Sequence, residues 1–90
     1  MWLNPEKHRV VGATLEALRR TVGVTQVALA KTLKKPQSFV SSYERGQRRL
    51  DLLEFANVVE ALGGDPRKVS TQIFDAVRAE TADKRRKSKR

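Results

Sequence analysis

The sequence predicts an all-α domain of five helices. Three observations carry that expectation: apolar residues recur at three- and four-residue intervals in successive stretches, cap-forming residues or glycines stand at the ends of those stretches, and none of them alternates with the period of two that a half-buried strand requires. At 90 residues, 39% hydrophobic and with only five aromatics, the chain has material for one modest core.

Asn4-Pro5 pairs a cap-forming residue with a proline suited to the first helical position, and Val11, Leu15, Leu18 and Val22 follow along one face. A first helix, α1, is therefore expected over about 5–22. Gly23 can end it with a positive φ, and Thr25 can cap a short second helix, α2, over about 25–34 with Leu29, Ala30 and Leu33 inward. After Lys34-Lys35-Pro36, a third helix, α3, is expected over 37–45, with Val40 and Tyr43 facing inward and Gly46 closing it. Asp51 and Glu54 have the spacing of a capping box, and Leu52, Phe55, Ala56, Val59 and Leu62 continue as a helical stripe, α4, until Gly63-Gly64. Asp65-Pro66 repeats the cap-then-proline start, and Val69, Ile73 and Val77 mark α5 to about residue 80. The domain is expected over 1–82, and 83–90 as a basic tail, disordered because its cations bring no apolar residue to a core.

The formal charge of +9 directs attention to a polyanionic partner, nucleic acid first. It is unevenly placed: +2 over residues 1–30, +5 over 31–49, −4 over 50–83 and +6 over 84–90. The absence of cysteine excludes disulfides, thiolate metal sites and cysteine nucleophiles. His8 has no companion ligand at metal spacing, and Ser38, Ser41 and Ser42 have no histidine placed to activate them. Gly63-Gly64 is a helix stop, since the Gly-Lys-Ser/Thr of a phosphate loop does not follow. No enzymatic activity, cofactor or metal is expected. With no apolar run near the ~18 residues of a membrane span and no signal-peptide pattern, a cytoplasmic, nucleoid-associated protein is expected.

Two short helices joined tightly, the second ending in glycine and trailed by arginines, form the helix-turn-helix pattern. The run from Leu15 to Leu62 makes the likeness specific: Leu18-Arg19-Arg20, Gly23-Val24-Thr25-Gln26, Leu29-Ala30, Pro36-Gln37-Ser38-Phe39-Val40-Ser41, Tyr43-Glu44-Arg45-Gly46 and Ala61-Leu62-Gly63. This stretch resembles the Cro/lambda-repressor-type, XRE-like family of transcriptional regulators.

The resemblance implies a lambda-repressor-like fold in which α3 enters the major groove of double-stranded DNA. It gives base reading to Gln37, Ser38, Ser41 and Ser42, and phosphate contacts to Gln26, Lys35, Arg45, Arg48 and Arg49. Phe39 is open between a thymine methyl and packing against α2. The resemblance also implies an ion pair between Arg19 and Glu44. Two departures stand out: Lys34 occupies the usual glycine position after α2, so it adopts a left-handed backbone or the turn differs, and Pro36 replaces the usual Ser or Thr cap.

The expected function is a sequence-specific regulator, a repressor on a pseudo-palindromic operator. A homodimer would form through Val69, Ile73, Phe74 and Val77, with Trp2 and Leu3 nearby in need of cover. Room for DNA reading and dimerisation, and no ligand domain, is expected at 90 residues. Two rivals differ in partner: an antitoxin that represses its own operon and binds a toxin protein, and a sequence-indifferent nucleic-acid-binding protein.

Overall fold

The computed structural model describes the backbone of residues 5–88 and the side chains of 7–79. Five helices follow one another: α1 (Pro5–Val22), α2 (Gln26–Leu33), α3 (Gln37–Glu44), α4 (Leu52–Ala61) and α5 (Pro66–Ser88). No strand occurs among the described residues. The expected cap at Asn4, and Trp2 and Leu3, lie outside them.

The helix ends follow from local chemistry. At Gly23, φ is +84°, and the N–H groups of Gly23 and Val24 both return to the Arg19 carbonyl, which closes α1. Thr25 then caps α2 through a bond from the Ala28 N–H to Oγ1. Asp51 and Glu54 form the reciprocal capping box at the start of α4, and Asp65 accepts from the Arg67 N–H before α5.

Lys34 takes the left-handed conformation, φ 58° and ψ 43°, and is the one non-glycine residue with positive φ among those described. That geometry lets the Lys34 and Lys35 N–H groups bond the last carbonyls of α2. Pro36 occupies the cap position of α3 with no side-chain hydrogen bond, its ring holding φ at −69°.

Leu15, Leu29, Val40, Tyr43, Val58 and Val59 are the innermost side chains. Around them α1 packs on α3 and α5, α2 on α3 and α4, and α4 on α5. Val22, at the end of the α1 stripe, is largely exposed. Gly12 sets how closely α1 approaches α3: a Cβ there would stand 2.1 Å from the Tyr43 carbonyl oxygen. A glycine backbone is what allows the end of α3 to rest on α1, two turns before Arg19 on the same face.

Two expectations about α5 are corrected. Val69 and Ile73, assigned to a dimer surface, are 5% and 7% exposed and belong to the domain's own core, with Val77 packed partly against it. The stripe is already covered by α1 and α4, and of the four residues only Phe74 points outward, 62% exposed. The helix also does not stop near residue 80: its backbone continues through Ser88, across most of the stretch expected to be disordered. Ala, Lys, Arg and Glu are good helix formers, and between Pro66 and Ser88 no glycine or further proline interrupts them.

Candidate nucleic-acid interface

The second half of α1, the start of α2 and both ends of α3 meet in one polar cluster. Arg19 and Glu44, 7% and 8% exposed, form a two-pronged ion pair: Nε donates to Oε2 at 2.7 Å and Nη2 to Oε1 at 3.1 Å. The remaining prong, Nη1, donates to the Val24 carbonyl at 2.8 Å, which ties the turn after α1 to the same guanidinium. The bond to Glu44 raises the Arg19 pKa further above its already high value, against the opposing effect of burial. Beside it, burial pushes the Tyr43 phenol well above its ordinary range.

From this pair the cluster extends to the surface. Gln26, the first residue of α2, donates from Nε2 to Glu44 Oε1 at 2.8 Å, and its own Oε1 accepts from Gln37 Nε2 at 3.3 Å. Four side chains from three helices thus form one connected line, from buried Arg19 to exposed Gln37. Ser38 lies exposed beside Gln37, while Ser41 and Ser42 are half-buried, with Ser41 Oγ donating back to the Ser38 carbonyl at 3.4 Å.

A second cluster stands on the other side of α3. Phe39 turns inward, 8% exposed, with its ring edge-on to Tyr43 at 5.5 Å between centroids. Packing is therefore its role. Its ring is flanked by two cations, the Lys35 ammonium at 5.5 Å and the Arg48 guanidinium at 4.7 Å from the centroid.

Arg48 is also committed elsewhere. It binds both carboxylate oxygens of Glu54 at 3.1 Å each and donates to the Arg49 carbonyl at 2.9 Å. The Arg48 bond, with help from the Asp51 N–H, holds the Glu54 carboxyl below the ordinary carboxylate range. Arg48, expected as a phosphate contact, thus acts within the structure as the staple between the loop after α3 and the start of α4. Lys35, Arg45 and Arg49 are exposed around the same helix.

The family resemblance placed Arg19 with Glu44 and Gln26 at the start of α2, but neither it nor the spacing of the residues indicated the bond from Gln26 to Glu44 or the pairing of Arg48 with Glu54. The capping-box spacing did mark Glu54 as a residue at a helix start, and an arginine six positions earlier was the only sign that the loop folds back on it.

A family model described as a helix-turn-helix domain matches residues 10–71. No curated protein matches the chain. Among solved structures, an XRE-family like protein from Pseudomonas syringae pv. tomato str. DC3000 is similar at 34% identity and a TM-score of 0.72, over 79% of this chain and 87% of that one. The clp gene regulator ClgR from Corynebacterium glutamicum is similar at 28% identity and a TM-score of 0.75, over 89% and 87%. The restriction-modification controller protein C.AhdI from Aeromonas hydrophila is similar at 31% identity and a TM-score of 0.67, over 71% and 97%. Among the described residues, no helix is long and apolar enough to cross a membrane. The matched span includes both polar clusters, helices α2 to α4, most of α1 and the first turn of α5, and the chain belongs to the XRE-type helix-turn-helix family of DNA-binding transcription regulators.

Proposed function

We propose that this chain binds a specific operator in double-stranded DNA with α3 in the major groove, and represses by occupying it. The observation that carries the reading is the bond from Gln37 to Gln26. It holds an exposed amide at the first turn of α3 in a fixed pose, which leaves one N–H and a carbonyl oxygen for a base edge. Ser38 lies next to it, and Ser41 and Ser42 follow one turn on as base contacts.

The backbone fits the same docking. Thr25 caps the Ala28 N–H, so the N–H groups of Gln26 and Val27 at the start of α2 remain for a phosphate. Lys35, Arg45 and Arg49 supply cations on either side of α3, and Arg48 contributes mainly by fixing the loop that carries Arg49. The cations of 84–90 add attraction that carries no sequence information. Repression needs only occupancy of promoter DNA, with no surface beyond those described. Such a protein works on the nucleoid, in the cytoplasm.

Exposed Phe74, with Leu52 and Leu53 at 79% and 75% exposure on α4, supports a homodimer that covers apolar surface. A dimer would set its two α3 helices ~34–36 Å apart and require a pseudo-palindromic site. The test is selection of bound duplexes from a random pool, followed by binding of Gln37→Ala and Arg49→Ala. The first should lose ~1–3 kcal/mol on the selected site and relax one position, while the second should weaken all duplexes alike. Equal affinity of the unaltered protein for selected and random duplexes would instead show a sequence-indifferent binder.

A further inference from the structure

The line of hydrogen bonds from Arg19 to Gln37 has a direction. A carboxylate offers acceptor atoms only, so Glu44 can meet Gln26 solely through the amide nitrogen, as it does at 2.8 Å. That turns the Gln26 oxygen outward. An oxygen in that place can be met only by a donor, and Gln37 therefore presents Nε2 to it at 3.3 Å. An isolated glutamine amide could sit either way round, because its two ends have the same shape. Here the charge on Glu44 decides the order, although Glu44 is 8% exposed and seven residues from Gln37, at the far end of the same helix.

We infer that Glu44 is a specificity-determining positioning residue: acting through Gln26, it fixes which end of the Gln37 amide is donor and which is acceptor, and so favours adenine over guanine. This rests on the reading of α3 as the base-reading helix. In the fixed order Gln37 retains one N–H and its carbonyl oxygen, side by side. Adenine presents the complement in the major groove, an N7 acceptor next to an N6 donor, whereas guanine presents two acceptors, N7 and O6. To meet guanine, Gln37 would have to aim both N–H groups at the base and release Gln26. The ion pair thus does more than hold α3 on α1: it transmits a charge as the orientation of a dipole at the surface.

The experiment measures affinity for duplexes in which the base pair located by Gln37→Ala is varied. The proteins are the unaltered chain, Gln26→Met, Glu44→Gln and the double variant. Gln26→Met keeps the side-chain length and leaves the Arg19–Glu44 pair intact, so it tests the relay without the risk that removal of Glu44 unfolds the chain. The expected result is a loss of about tenfold in adenine-over-guanine preference for Gln26→Met and for Glu44→Gln at that one base pair. The double variant should lose no more than Gln26→Met alone, since Glu44 acts only through Gln26.

Two results would overturn the relay while leaving base reading in place. One is full preference in Gln26→Met when Gln37→Ala has lost it. The other is a further loss when Glu44→Gln is added to Gln26→Met, which would show Glu44 acting by displacement of α3. A Gln37→Ala protein with undiminished preference at every base pair would remove the base-reading assignment and the relay together.

Discussion

The half of the domain built from α1, α2 and α3 and the half built from α4 and α5 are stabilised by different means. The first contains the buried charge pair of Arg19 and Glu44, the left-handed Lys34 and a helix start at Pro36 without a side-chain cap. The second has a complete capping box at Asp51 and Glu54, an aspartate cap before Pro66, and an interior of Phe55, Val58, Val59, Leu62, Val69 and Ile73. Buried ion pairs and left-handed non-glycine residues are weak or costly devices for stability. Their concentration around Gln26 and Gln37 fits a half that holds polar groups in position, with the cost offset by the apolar core to which both halves contribute. The same division appears in charge, +5 over residues 31–49 and −4 over 50–83.

The comparison breaks most easily at Glu44. Glu44→Ala leaves the Arg19 guanidinium buried without its partner and should lower unfolding free energy by about 3–5 kcal/mol, measured by urea denaturation. A loss under 1 kcal/mol would mean that the pair is solvated and that the polar half is not held by charge.

Lys34 sharpens the contrast in the opposite sense. Lys34→Gly relieves the left-handed strain and should raise stability by about 1 kcal/mol, with a slight loss of DNA affinity from the missing cation. An unchanged or lower melting temperature would remove strain from the account of the α2–α3 turn.

The smallest effect concerns Glu54, where the two halves meet. Its carboxyl pKa is depressed in the folded protein, so the bond to Arg48 contributes stability above the ordinary carboxylate range and loses it as pH falls through the depressed value. The stability difference between the unaltered protein and Glu54→Gln should therefore be present at neutral pH and vanish in acid. A difference that persists unaltered to low pH would show that the contribution does not come from the charge on Glu54.

The fold was legible because its punctuation is local. Thr25, Gly23 and the Asp51–Glu54 pair act within one turn of their own positions, so spacing along the chain is enough to place α2 and α4. The candidate site was partly legible for the same reason: the starts of α2 and α3 put Gln26 and Gln37 on the surface. Phe39, Val69 and Ile73 show the limit. Periodicity identifies an apolar face but not what covers it, and the α5 stripe reads the same whether a partner or α1 lies against it. The bond from Gln26 to Glu44 joins residues that meet only once α2 has packed on α3, and that from Arg48 to Glu54 needs the loop after α3 to fold back on the start of α4. The length of α5 was missed because an apolar stripe ends where burial ends, whereas a helix ends where its backbone chemistry does.

The packing of α1 against α5 has a consequence for synthesis. At ~5–20 residues per second, Ile73 leaves the ribosome roughly 3–10 s after Val22. Throughout that interval α1 lacks the cover that α5 provides, and for its earlier part Arg19 waits for Glu44 from α3. Folding of this domain is accordingly expected to complete as one event after α5 has emerged, with the apolar face of α1 exposed to chaperones until then.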